Sequence, residues 1–134
     1  MKARVLADGA AAGPALVLEE PLSFWGGVDP GSGAITDARH PQLGSSVKGR
    51  VLVMRAVRGS SSSSSVLAET VRAGCAPAAI LLGEPDLILA VGAAVAGELY
   101  GIRVPVLHLS AAELGSIPDG ASVSVREGGE VVLR

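Results

Sequence analysis

The sequence predicts a single α/β domain whose mixed central sheet is closed by hairpin strands. Three observations carry this. The middle of the chain alternates short apolar runs at 50–54, 78–82 and 104–109 with segments of helical spacing, and such alternation implies right-handed crossovers and parallel pairing. Both ends instead read as hairpin-like strands beside turn residues. Apolar residues make up 49% of the chain but aromatic ones only 2%, so the core must be Val, Leu, Ile and Ala, a composition suited to a Val-rich sheet packed by Ala-rich helices. At 134 residues the chain is one domain, 1–134, with a radius of gyration of about 14 Å. That is too small for both a full core and a deep private cavity.

Residues 3–7 and 14–19 read as two strands around the turn signals Asp8-Gly9 and Gly13-Pro14. Residues 21–44 form a long connection punctuated by Gly26-Gly27, Asp29-Pro30, Gly31, Gly33, Pro41 and Gly44. A loop of that length in a compact domain is commonly functional, and Phe24, Trp25, Val28 and Ile35 give it apolar anchors. Val51, Leu52 and Val53 make the continuous run of a strand buried on both faces. After Arg58-Gly59 and the serines Ser60 to Ser65, the residues Val66, Leu67, Thr70 and Val71 fall at helical spacing. The helix is therefore expected to begin after Ser65 and to stop at Gly74. The strand at 78–82, a helix from Leu87 to about Tyr100 closed by Gly101, and the strand at 104–109 follow. Ser110-Ala111-Ala112-Glu113 is a capping box opening a short helix. Ser122–Arg126 and Glu130–Leu133 form a hairpin around Glu127-Gly128-Gly129. The expected layering is one β layer, a second β layer, and helices on one side.

Charge and cysteine usage exclude several function classes. Eleven Lys and Arg stand against thirteen Asp and Glu, for a net charge of -2 with no basic run, which speaks against nucleic acid as partner, since phosphate neutralisation needs clustered cations. Cys75 is the lone cysteine. An internal disulfide, and a zinc or iron–sulfur site with all its cysteines from this chain, are excluded. The apolar stretch at 80–91 is broken by Gly83, Glu84, Pro85 and Asp86, so no membrane span is expected. Asp8-Gly9 interrupts the start of the chain before a signal-peptide apolar region forms. A cytoplasmic location is expected.

Three motifs bear on chemistry. Six consecutive serines alone have the composition of a flexible linker, but here a buried strand ends just before Gly59 and an amphipathic helix follows. Such a junction presents hydroxyls and free N–H groups at a helix N-terminus, where the macrodipole favours an anion. The Gly-Lys-Ser/Thr of a P-loop is missing, as is the nucleophile elbow, and His40 and His108 offer no triad partner. The residues leave a carboxylate or phosphate cradle, or a serine that handles a proton. The segment Pro21-Leu22-Ser23-Phe24-Trp25-Gly26-Gly27-Val28-Asp29-Pro30 either packs as a loop or offers an aromatic anchor to another protein. Gly92, Ala93, Ala96 and Gly97 are expected to serve close packing of their helix. His40 reads as solvated or turn-stabilising, His108 as a core-edge residue, and Cys75 as a small buried one.

Taken in order, the Pro21–Pro30 segment, then Arg58-Gly59-Ser60-Ser61-Ser62 with Val66-Leu67-Ala68-Glu69, then Ala76-Pro77-Ala78-Ala79-Ile80 with Val91-Gly92-Ala93, resemble the swivel domain of aconitase X. The resemblance implies a swivelling β/β/α fold and a hydro-lyase, or dehydratase, in which a short chain pairs with a large catalytic subunit. It places an iron or iron–sulfur centre, acting as Lewis acid, in that large subunit and none in this chain. It implies that the small chain supplies a catalytic serine, which falls on Ser60 after Gly59, with Arg58, Gly59, Ser61 and Ser62 around a small hydroxy-acid substrate. The run leaves Ser61 and Ser62 open as alternatives. The family pattern Gly-Arg-Gly-Ser is met from Arg58 onward, but Val57 stands where its first glycine would be, and a positive φ there would be strained. Two substrates fit the resemblance, cis-3-hydroxy-L-proline and phosphomevalonate. Nine Arg against two Lys suggest GC-rich coding and a bacterial source, which favours hydroxyproline. A non-catalytic binding module on the same fold is the competing expectation.

Overall fold

The computed structural model describes all 134 residues. In chain order its elements are β1 (Arg4–Ala7), β2 (Ala11–Val17), α1 (Phe24–Gly27), β3 (Val51–Met54), α2 (Ser63–Arg72), β4 (Ala79–Leu82), α3 (Leu87–Tyr100), β5 (Val106–His108), α4 (Ala111–Gly115), β6 (Ser122–Arg126) and β7 (Glu130–Leu133). All seven strands join one sheet, ordered β1-β5-β4-β3-β2-β6-β7. β3, β4 and β5 are mutually parallel, as the strand–helix alternation predicts, and β2 joins them parallel to β3; β1 pairs antiparallel with β5, β6 with β2, and β7 with β6. The sheet curls until its edges meet. Ala3 N donates to Gly129 O at 2.8 Å, and Met1 and Val131 exchange two backbone hydrogen bonds of 2.7 Å.

Curling turns one sheet into two β layers, and the strands between them are buried on both faces. Leu52 and Met54 of β3 join Ile80 and Leu82 of β4 under Leu67 of α2 and Leu89 of α3. The alternate residues Val51, Val53, Ala79 and Leu81 face the inside of the curl with Leu107, Val123 and Val125, where Leu114 of α4 plugs the end. This double burial is why these strands read as unbroken apolar runs.

The amino-terminal strands do not form a hairpin. β1 pairs with β5 at one edge, whereas β2 sits between β3 and β6. β2 also starts earlier than residue 14, because Pro14, which has no N–H to give, falls where the strand changes partner. Ala11–Pro14 pair with β6 and Ala15–Val17 with β3. Gly13 permits the switch: a Cβ there would lie 2.5 Å from Gly49 O. Likewise α2 starts at Ser63, not after Ser65. Apolar spacing reports only the residues that pack, so it missed a first turn built of serine. β5 is shorter than the expected 104–109: Val104 and Leu109 are buried like strand residues, but beyond Val106–His108 only single bonds reach β4, from Ile80 N to Pro105 O and from Leu109 N to Leu82 O, each 2.9 Å.

The long connection is held by Leu22, Phe24, Val28, Ile35 and Val47, all in the helix-side core. Its one helical turn, α1, is broken by Gly26 at φ +77°. Phe24 is fully buried, but its neighbour Trp25 is 59% exposed, so only one of the two aromatics anchors the core. His40 is buried and turn-stabilising, accepting from Gln42 N at Nδ1 (3.1 Å) with Nε2 against Glu20 O (3.0 Å). No helix is long and apolar enough to cross a membrane.

Phe24→Ala is expected to cost about 3–5 kcal/mol of stability in urea unfolding, and Trp25→Ala about 0.5 kcal/mol or less; equal losses would show that Trp25 also anchors the core. At the seam, Asp8 Oδ1 accepts from Gly128 N (3.0 Å) and Gly9 N (2.9 Å), and these N–H groups, Gly128 first, hold its carboxyl below the ordinary value of 3.8. A depressed carboxyl stabilises the fold above its unfolded value and loses that contribution as pH falls toward its folded one. Asp8→Asn should therefore be less stable than wild type at neutral pH, the gap closing in unfolding curves below about pH 4.

Candidate functional site

Residues 18–50 leave the carboxyl end of β2, and residues 55–62 leave that of β3. The two strands are parallel neighbours, so both connections emerge at the same end of the sheet, where open α/β sheets bind ligands. They are stapled there. Leu22 and Val57 form a parallel bridge, and Arg58 N donates to Leu22 O at 3.2 Å. Val57 is thus in extended backbone, and no residue other than glycine has a positive φ. The valine in place of the family's glycine brings no strain.

Past this staple lies an open hollow of ≈ 650 Å³, lined on one side by Arg58, Gly59, Ser60 and Ser61 and on the other by Ser23, Trp25, Gly26, Gly27 and Asp37. The two motifs that the sequence presents separately therefore make one site. The six serines occupy different places within it. Ser60 is half-buried; its Oγ accepts from Ser62 N at 3.3 Å and its carbonyl from Ser63 N at 3.1 Å. Ser61 is exposed at the rim. Ser62 does not line the hollow; it is the N-cap residue of α2, without a side-chain capping bond. Ser63 is buried, its Oγ 3.4 Å from Ser23 Oγ. Ser64 and Ser65 border a separate groove with Val91 and Val95 of α3.

The charged members are Arg58 and Asp37. Arg58 Nη1 lies 3.8 Å from Asp37 Oδ2, with the side chains 56% and 25% exposed. Asp37 Oδ1 accepts from Arg39 N at 3.0 Å. Asp37 and Ser23 also line the hollow, and the sequence reading named neither as a site residue. Ser23 lies within the aromatic segment without being singled out, Asp37 belongs to no motif, and only the folding of the long connection brings them to the serine turn.

The height of the serine turn is set by α3. Gly92 faces the backbone of Ser64 so closely that a Cβ would meet Ser64 O at 2.6 Å and Ser64 Cα at 2.8 Å. The small residues of α3 thus serve packing, with Ala93 and Ala96 buried beside Gly92. An iron or iron–sulfur centre does not fit the side chains of this chain. No three His, Cys, Asp or Glu groups converge, and buried Cys75 turns its thiol to Gly31 O at 3.2 Å. His108 lies at the core edge, with Nε2 3.2 Å from Gly83 O.

Fold and site together define a swivelling β/β/α domain that presents a serine turn at an open face. A family profile described as the aconitase X swivel domain matches residues 1–133, and the chain belongs to that family. Among solved structures, the crystal structure of Thermococcus kodakaraensis aconitase X in its holo-form superposes with a TM-score of 0.87 at 33% identity, covering 99% of this chain and 96% of that one. Among curated proteins, the cis-3-hydroxy-L-proline dehydratase of Pseudomonas aeruginosa is 51% identical over 106 residues. The match takes in 79% of this chain but spans only 18% of that longer protein. The phosphomevalonate dehydratase small subunit of Methanothermobacter thermautotrophicus is 39% identical over 123 residues, covering 91% of this chain and 89% of the relative.

Gly92→Ala should lose about 1–3 kcal/mol by overpacking against Ser64. Gly97→Ala in the same helix, where a Cβ meets nothing nearer than 3.6 Å, should instead gain up to about 1 kcal/mol from helix propensity. Thermal unfolding of the pair checks that the close approach, not glycine as such, is what α3 requires.

Proposed function

We propose that this chain is the small subunit of an aconitase X type hydro-lyase, that Ser60 handles the proton in the dehydration, and that cis-3-hydroxy-L-proline is the substrate. The observation that carries the reading is the convergence of Arg58, Ser60 and the Ser23–Gly27 segment on one open hollow, joined to the 51% identity with a dehydratase of that substrate.

Dehydration removes a proton from one carbon and hydroxide from its neighbour, leaving an alkene and water. A serine hydroxyl takes up a proton only where the environment favours its alkoxide. Ser60 Oγ already receives the Ser62 N–H and lies at the amino end of α2, both of which favour negative charge there. Arg58, half exposed, is free to hold the substrate carboxylate by charge-assisted hydrogen bonds. Gly59 has open space on its Cβ side and lets a ligand come close to the backbone.

Several surfaces support a large partner subunit, which on this reading also carries the iron or iron–sulfur centre. Trp25 is exposed at the hollow's rim, and α3 exposes Leu87, Val91, Val95 and Leu99 at intervals of four along one face. A helix that is apolar on all sides is ordinarily covered. The single thiol of Cys75 suits a reducing compartment, and we place the enzyme in the cytoplasm. A second substrate reading, phosphomevalonate, is favoured by one observation: the chain matches 89% of a stand-alone small subunit of that dehydratase.

The test is turnover by the chain reconstituted with its large subunit on cis-3-hydroxy-L-proline and on 5-phosphomevalonate. Ser60→Ala should lower kcat by about 100-fold or more with little change in KM, while Ser61→Ala and Ser62→Ala keep most of the activity. Full turnover in Ser60→Ala removes the serine assignment, and loss in Ser62→Ala alone moves it along the run.

A further inference from the structure

The ion pair in the hollow is open, and its members have no other side-chain partner. Where this protein closes surface ion pairs it does so by hydrogen bonding, as in Arg72–Glu69 and in Arg103–Glu127 at 2.9 Å. Arg58 and Asp37 stand 3.8 Å apart without a hydrogen bond. Arg58 donates to no acceptor in the chain through its guanidinium, and Asp37 Oδ2 accepts from no donor, Oδ1 alone being engaged by Arg39 N. Arg55–Glu84 is as loose at 3.9 Å but more exposed and outside the hollow. In the hollow, a cation and an anion with unused hydrogen-bonding capacity flank Ser60.

We propose that Asp37 and Arg58 together form a receptor for the zwitterionic head of an α-imino acid, Arg58 taking the carboxylate and Asp37 the ring ammonium. The inference rests on the hydroxyproline reading above and deepens it. In cis-3-hydroxy-L-proline the carboxylate and the ammonium are both attached to C2, the carbon whose proton leaves in the dehydration, and the departing hydroxyl is on C3. Holding both substituents of C2 directs the remaining C2–H toward Ser60, two residues from Arg58 in the chain. The proton passes to Ser60 Oγ, the C2–H electrons form the C2–C3 double bond, and hydroxide leaves C3. Asp37 is thereby a specificity residue. A phosphorylated hydroxy acid has no cation to offer it and meets only its negative charge.

The experiment uses the chain reconstituted with its large subunit and two ligands that differ at one atom. They are cis-3-hydroxy-L-proline and cis-2-hydroxycyclopentane-1-carboxylate, in which a methylene replaces the ring nitrogen. Asp37→Asn keeps an oxygen for Arg39 N but loses the charge. It should raise KM for hydroxyproline about 10- to 100-fold, the range of a charge-assisted hydrogen bond, and leave the inhibition constant of the carbocyclic analogue within about twofold. Arg58→Gln should weaken both ligands. If wild type turns over hydroxyproline but Asp37→Asn shifts both ligands alike, or neither, the ammonium role is overturned while the substrate reading stands. If wild type leaves hydroxyproline untouched, the substrate reading falls and this inference with it.

Discussion

Burial of β3 and β4 on both faces is the constraint from which the rest of this domain follows. Helices cover one side of these strands and the curled-over β layer covers the other, so no side chain along them reaches solvent. An ionisable group placed there would pay a desolvation penalty without a partner. Chemistry is therefore confined to the strand ends, and the parallel arrangement directs the connections after β2 and β3 out of the same end. With only 134 residues and two cores to fill, the domain makes a shallow open hollow there instead of an enclosed pocket.

Two close approaches then shape that hollow. The Leu22–Val57 bridge brings the long connection alongside the serine turn, and Gly92 lets α3 press against Ser64 and seat the first turn of α2. Both act through backbone, where neither rotamer freedom nor long flexible side chains blur position. The turn itself carries little apolar anchoring, so its placement is inherited from these neighbours. The charges above it are left loose by contrast, which is the condition for a ligand to replace water on each of them.

Much of the architecture was legible in the chain. The continuous runs at 51–54 and 79–82, the Ser110 cap and the Gly101 stop identify strands and helices with little ambiguity, because burial and capping act locally. The hairpin β6–β7 was equally visible. The amino-terminal strands were misread as a pair because turn residues between two strands say nothing about which edges are free. Pro14 misplaced the start of β2 because a missing N–H is harmless where a strand changes partner. At the site, Arg58, Gly59, Ser60 and Ser61 could be named from motif and resemblance, whereas Asp37 had no signal at all, lying in a stretch with neither periodicity nor motif.

By itself, then, the sequence determined the class of fold, the serine turn and the absence of an all-cysteine metal set, since each depends on residue type and short-range spacing. Tertiary structure alone decided that the sheet curls onto itself, that Phe24 is buried while Trp25 stands out, and that the Pro21–Pro30 segment and the serine turn are one site. It alone placed Asp37 across from Arg58. These are distances between residues more than twenty positions apart, set by how layers pack and where loops are stapled, and no local pattern of side chains encodes them.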